Sequence, residues 1–361
     1  MSETKKIHRR RSKLDPFLDR LGLIADADIA RLAGVTVQNV AAFRKRHGIE
    51  LNPLPTVPAP VVTETAPEVE PETAPEPAPV PSLYPCCEMS EEDYRSAPGL
   101  NFSTLKHLVT SPHAFRYFRD VHKSEPTAAQ SLGTAIHMRV LEPEKYGATY
   151  AVREKVDGRT KEGKAYNAQW EADNPGKIAI DKETAYLIEE CADAVYCDKG
   201  YRNVVACNDG VELAIESPMF WNDPLFGDCK ARPDILRWDG KVLTVWDLKT
   251  TSQRIDSHSI ARTMGEWLIP LQLAFYARGG AAQLGLDPSD TMRVDLKVTF
   301  VQTTAPFDAV TYRIATATQY TTNDLIEELA SLLADCTKRN VWRGLPSGNA
   351  IDVPPYYLTV K

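Results

Sequence analysis

Residues 228–251 read Asp-Cys-Lys-Ala-Arg-Pro-Asp-Ile-Leu-Arg-Trp-Asp-Gly-Lys-Val-Leu-Thr-Val-Trp-Asp-Leu-Lys-Thr-Thr. Two apolar, strand-like runs flank Asp239-Gly240, a dipeptide suited to a two-residue type I′ hairpin turn. With the turn centred there, cross-strand partners sum to 479, so Asp234 faces Val245. Asp247 is then a diagonal neighbour of Asp234 on the same face, roughly 7–8 Å away by Cα. Lys249 shares that face because strand side chains alternate. Two carboxylates and an ammonium therefore converge on one side of a hairpin, an arrangement that can hold a divalent cation and set a positive charge beside the group under attack. The plain alternative is a surface salt-bridge cluster. Asp247 argues against it, because Val242, Leu243, Val245, Trp246 and Leu248 make its strand apolar on both faces. A charge inside such a run is costly unless it is paired or metal-bound.

The chain has 361 residues, 43% hydrophobic and 25% charged, which suits one large globular domain and a smaller one. No run of 18 apolar residues occurs, so a helical membrane span is not expected. The basic N-terminus lacks the apolar stretch of a signal peptide, and a cytoplasmic protein is the expectation. Seven cysteines form no CxxC pair and no zinc-finger spacing, so free thiols are expected, with no evident iron–sulfur ligand set. The net charge of −7 is unevenly spread. Residues 1–49 hold eleven Lys/Arg and five Asp/Glu, whereas residues 50–85 hold six Glu and no base. Eleven prolines fall in 51–85 without any apolar period, which reads as an extended linker. The expected organisation is a basic domain over 1–50, a Pro/Glu-rich disordered linker over 51–85 and a large domain over 86–361.

The first of these carries a helix-turn-helix pattern from Asp26 to Lys45. Ala30 is small where two helices would cross, Gly34 suits the turn, and Thr36 would cap the second helix. Ile29, Ala33, Val35, Val40 and Phe43 make a shared apolar face. Gln38, Asn39, Arg44 and Arg46 then point outward, with amides and guanidinium groups suited to base edges and phosphates. The basic run from Lys5 to Lys13 would add phosphate contacts. A protein-docking helical pair is the alternative.

In the large domain, Ser103 and Ser111 are candidate caps, with Pro112 at a first helical position. A helical stretch contains His137. Asp157-Gly-Arg159-Thr-Lys161-Glu-Gly163-Lys164 reads as a basic loop whose glycines let backbone approach an anion; a solvated charge run is the alternative. Strands are expected near 211–221, 229–237 and 242–250, and the alternating runs 294–300 and 310–314 extend the sheet. Between them lies a helix with Pro270 near its start and Gln272 and Tyr276 on one face. Leu325, Ile326, Leu329, Leu332 and Leu333 give a closing amphipathic helix.

Pro233-Asp234 followed by Asp247-Leu248-Lys249 resembles the PD-(D/E)xK nuclease superfamily, and the surrounding text resembles its RecE-type (exodeoxyribonuclease VIII-like) branch. Gly133 to Pro143, around His137, is similar to that branch's upstream histidine motif. Glu216 sits where the family places an acidic residue on the preceding strand, Gln272 to Tyr276 matches its QxxxY helix, and residues 103–106 and 111–115 look like its opening helices. The resemblance spans roughly residues 88–345. It implies an α/β, restriction-endonuclease-like core with a central mixed sheet flanked by helices, joined to the small all-α helix-turn-helix domain.

For the chemistry, Asp234 and Asp247 are hard oxygen donors suited to Mg²⁺ or Mn²⁺. The Leu248 carbonyl and Glu216 would complete the shell, and Lys249 would orient water or stabilise the transition state. The resemblance adds His137 near the metal. Gln272 and Tyr276 would position substrate or water, while Arg232, two residues before Asp234, could clamp a phosphate. The resemblance implies a metal-dependent exonuclease that hydrolyses double-stranded DNA from its ends in the 5′→3′ direction, feeding a single-strand-annealing recombinase in recombination or repair and forming a homo-oligomeric ring. A sequence-directed endonuclease and a DNA-binding regulator with an inactive core stand as alternatives.

Overall fold

The computed structural model describes residues 37–49, 82–83, 89–121 and 127–347. The chain divides into two compact units, Met1–Glu76 and Pro77–Lys361. In the first, helix α1 (Val37–Arg46) ends in Arg44-Lys45-Arg46, cations that complement the helix's negative C-terminal pole. Val40 and Phe43 are buried, Gln38, Asn39 and Arg46 are exposed, and the Arg44 guanidinium donates to the Ile49 carbonyl. The first helix and turn of the expected helix-turn-helix, with Ile29, Ala30, Ala33, Gly34, Val35 and Thr36, and the basic run at residues 5–13 lie outside the described residues.

The large unit opens with α2 (Glu91–Ser96), α3 (Phe102–Leu105), α4 (Pro112–Asp120), α5 (Ala128–Leu141) and α6 (Pro143–Thr149). Next come β1 (Tyr150–Val152), α7 (Lys161–Asp173), β2 (Ile178–Ile180), α8 (Lys182–Cys197) and α9 (Lys199–Val205). The strands β3 (Glu212–Ile215), β4 (Met219–Asp223), β5 (Gly227–Ala231), β6 (Ile235–Trp238) and β7 (Leu243–Thr251) follow in sequence. Helices α10 (Ser257–Glu266) and α11 (Ile269–Leu284) then lead to β8 (Val294–Gln302), β9 (Ala309–Arg313) and the closing α12 (Thr316–Arg339).

The central sheet has the order β3-β6-β7-β8-β9, parallel only between β7 and β8. That parallel pair needs a long crossover, supplied by α10 and α11. Strand β7 is apolar on both faces because both are covered. Leu243 and Val245 share a core with residues of α11 and α12, whereas Trp246 and Leu248 pack with residues of α5 and α8. Helix α11 sits close to the strands through two glycines. A Cβ on Gly279 would lie 2.7 Å from the Met219 sulfur, and one on Gly280 would lie 3.0 Å from Leu243. This fixes the height at which α11 presents Gln272 and Tyr276.

Several expectations need correction. The hairpin pairs Trp238 with Leu243, Leu236 with Val245 and Ile235 with Trp246, so partners sum to 481 rather than 479. Asp239 causes the difference: its carboxylate accepts the Lys241 and Val242 amides, closing a four-residue loop with Gly240 at φ +81°. The shift is two residues, so each side chain keeps its face. The strands expected over 211–221 and 229–237 are each broken. Pro233 has no N–H to give a ladder, and the chain changes sheet there: β5 pairs with β4, β6 with β3 and β7. Ser111 caps α4 as expected, but Asn101 rather than Ser103 caps α3. Leu83, expected in the linker, is instead fully buried in the core, and the Leu83 amide and Ser82 hydroxyl donate to Glu212. Five of the cysteines lie in the described residues and all are free, with Cys191, Cys229 and Cys336 buried.

Candidate active site

The register places Asp234 at the position following the Ile235–Trp246 pair, level with Asp247. Asp234 is 8% exposed and Asp247 1%. The Asp234 carboxylate accepts the Leu248 amide at 2.6 Å and lies 3.4 Å from His137 Nδ1, which α5 brings in from the far layer. Glu216 reaches the same point from just past β3. Its backbone adopts φ +46°, a left-handed conformation costing a non-glycine residue of order 1 kcal/mol or more, and its N–H is held by the Asp234 carbonyl at 3.0 Å. One ligand atom from each of His137, Glu216 and Asp234 lies within 4.8 Å of the others.

Asp247 anchors the second half. Its carboxylate pairs with the Lys249 ammonium and accepts from Gln272 Nε2 at 3.0 Å. The same Gln272 nitrogen donates to the Tyr276 hydroxyl at 3.0 Å, and the Tyr276 ring meets Phe102 edge-on at 6.5 Å. Sequence spacing one helical turn apart thus becomes a support that aims Asp247.

Burial pushes the Asp247 carboxyl up to about 6, against the pull of Lys249 and with repulsion from Asp234 adding to it. Burial likewise raises Glu216 to about 8, with Asp234 adding to the shift and Arg232 opposing it. Burial drives the Tyr276 phenol far above its usual range, so it serves as a neutral hydrogen-bonding group. Three carboxyls crowd together with too little positive charge to compensate them. Carboxylate oxygens and an imidazole nitrogen form a donor set suited to a divalent cation, so the residues fit one. The Leu248 amide, rather than its carbonyl, is the group seen engaged with the site.

Arg232 shares the site face as expected, but it is already committed. It pairs with Glu91 and, at 3.3 Å, with Glu216, and lies 5.3 Å over the Tyr94 ring. Neither α2 residue figured in the sequence reading. The available signal was Lys230, two residues before Arg232 and on β5. It is buried and donates to the Tyr94, Arg95 and Ala97 carbonyls, fixing the end of α2 over the site. Gly133 was likewise missed as a spacer, since a Cβ there would lie 3.1 Å from the Thr250 hydroxyl beside Lys249.

Arg159, Lys161 and Lys164 are exposed, but only part of the expected loop is loop. Thr160 caps α7 by accepting the Gly163 amide, so Lys161 and Lys164 stand on its first turn. A Cβ on Gly163 would come within 2.0 Å of the Asp157 carbonyl, which makes the turn dependent on that glycine. No ion pair engages these three cations among the described residues, whereas the nearby Lys155 and Lys182 are paired with Asp181 and Glu154.

A mixed sheet carrying this Asp/Asp/Lys constellation defines a PD-(D/E)xK nuclease core. A family model described as a PDDEXK-like domain of unknown function (DUF3799) matches residues 101–350, and the chain belongs to that family. No curated protein matches the chain. Among solved structures, the chain is similar to one named "Putative exonuclease" from Eubacterium rectale, with a TM-score of 0.43, 12% identity and coverage of 73% of this chain and 97% of that one.

Proposed function

We propose that this protein is a divalent-metal-dependent deoxyribonuclease that degrades double-stranded DNA from its ends, 5′→3′, as RecE-type enzymes do. The convergence of His137, Glu216 and Asp234 on one point, with Asp247 and Lys249 beside them, carries this reading. Asp234, Asp247, Glu216, His137 and the Leu248 carbonyl are the groups that would hold Mg²⁺ or Mn²⁺. When bound, the cation supplies a lowered water pKa and charge to oppose the developing phosphorane.

The chain's own groups do the rest. Asp247 holds the Lys249 ammonium next to the carboxylates, where it stabilises negative charge on the attacked phosphate. Gln272 and Tyr276 keep Asp247 aimed. Arg232, braced between Glu91 and Glu216, positions Glu216 and offers a guanidinium to phosphate when Glu91 yields it. Arg159, Lys161 and Lys164 grip the backbone of the duplex, and Gln38, Asn39, Arg44 and Arg46 add contacts from the N-terminal unit. The product strand would pass to a single-strand-annealing recombinase. The protein would work in the cytoplasm, and a ring of copies would keep it on the duplex; no helix among the described residues is long and apolar enough to cross a membrane.

The test offers purified protein linear and covalently closed circular duplex with Mg²⁺, and repeats both with excess EDTA. Loss of linear DNA alone, abolished by chelator, is expected. Cutting of the closed circle would transfer the assignment to an endonuclease directed by the N-terminal unit. Hydrolysis unchanged in EDTA would remove the metal from the mechanism.

A further inference from the structure

The chain has six tryptophans. Trp221, Trp238 and Trp246 are buried, and Trp170 and Trp342 are half-buried against arginines. Trp267 is different. It is 42% exposed. Its exposed face leaves an aromatic surface open to a stacking partner.

Its backbone is held on both sides. The Trp267 amide donates to Thr263 at the end of α10, and the next residue, Leu268, adopts φ +54° before its carbonyl accepts the Gln272 amide in α11. Left-handed backbone at a leucine costs of order 1 kcal/mol or more, the kind of strain that persists where surrounding structure holds a side chain in a required place. The strained link therefore joins the indole directly to the helix that aims Asp247.

The indole also lies on the same side of the sheet as the reacting groups. Its ring lies 6.4 Å from that of Phe300, and Phe300 is the register partner of Lys249 across β7 and β8. Phe300 packs in the core on the α11 side of the sheet, the face that Lys249 shares by alternation with Leu243 and Val245. Neighbouring strands lie roughly 4.8 Å apart. One ring, that of Phe300, thus separates the indole from the strand position of Lys249.

We propose that Trp267 is a positioning residue: its indole stacks on the nucleobase next to the attacked phosphate and sets which bond meets Lys249. This rests on the nuclease reading of the same site. Stacking tolerates every base, because each has a π-face, so the device would fix position on the strand without reading sequence.

The test uses the full chain, with Ca²⁺ replacing Mg²⁺ to permit binding without turnover, and duplexes carrying one abasic residue moved stepwise from the 5′ end. Wild type should bind about 5- to 150-fold more weakly when the missing base is the stacked one. Trp267→Phe should keep that position-specific penalty. Trp267→Ala should bind intact duplex more weakly and lose the penalty, the coupling signature of a direct contact. An unchanged penalty in Trp267→Ala overturns the proposal. So does an equal loss on every duplex accompanied by a lowered Tm, which marks a purely structural role. A wild type that cuts linear DNA but shows no penalty at any position defeats the stacking alone. A wild type that neither binds nor cuts defeats the nuclease reading and this proposal with it.

Discussion

Asp247 occupies the middle of a nine-residue strand with β6 on one side and β8 on the other, and its carboxylate is engaged by Lys249 and Gln272. Asp234 lies where the neighbouring strand is interrupted, after Pro233, with His137 from another layer and a left-handed Glu216 as neighbours. The first half is regular and buried, so its geometry is set before any substrate arrives. The second is assembled from chain breaks, and it is the half where His137, Glu216 and Asp234 bring ligand atoms together. Regular strand geometry thus aims the Asp247–Lys249 pair, and irregular backbone builds the candidate metal site.

The largest effects should ignore this contrast. Asp234→Ala and Asp247→Ala are each expected to reduce cleavage of linear duplex to background in protein whose circular dichroism is unchanged. Retained turnover in either variant would break the pairing of the two halves. Lys249→Met should follow, lowering kcat roughly 10²–10³-fold, read from single-turnover rates.

Smaller effects should separate the halves. Gln272→Ala is expected to cost about 10–100-fold in activity by leaving Asp247 unaimed. Tyr276→Phe, which removes only an acceptor for Gln272, should cost less than Gln272→Ala; equal losses would show that the phenol itself contacts substrate. The smallest signal is in stability. Glu216 is raised from 4.5 to about 8, so the metal-free fold binds a proton that the unfolded chain has released between those values. The stability tied to that proton is present below about 4.5 and lost as pH rises through about 8. In EDTA, Tm should fall across that window in wild type and fall less in Glu216→Gln, with Mg²⁺ closing the gap at high pH. Parallel profiles would place Glu216 outside the acidic cluster.

The acidic hairpin is legible in the sequence because alternation alone assigns Asp234, Asp247 and Lys249 to one face, and a two-residue error in register leaves faces unchanged. The strand runs, and the shared helix face of Gln272 and Tyr276, were legible for the same reason: periodicity reports which side is buried, while the mixed sheet was implied by the family resemblance. What periodicity omits is where a ladder stops. The split of 229–237 depends on Pro233 lacking a donor, and the loop length depends on the Asp239 carboxylate capturing two amides. Partners from distant segments were equally hidden. Glu91 and Tyr94 meet Arg232 from more than a hundred residues away, and nothing local in their helix announces it. Leu83 shows the reverse error, an apolar residue in proline-rich text that composition assigns to the linker and the core claims.

Cys229 offers a use for one detail of this architecture. It lies on β5 five residues before Asp234, bridged to Leu100 and 2% exposed, and burial pushes its thiol up to about 12. Alkylation requires both a thiolate and access, so the folded protein should react at Cys197 and Cys207 long before Cys229. Modification at Cys229 then happens only during openings that lift Leu100 from the strand. Its rate in native buffer is a clock for fluctuations of the segment leading into Asp234, and slowing of that clock by Mg²⁺ would measure how firmly the cation closes the irregular half.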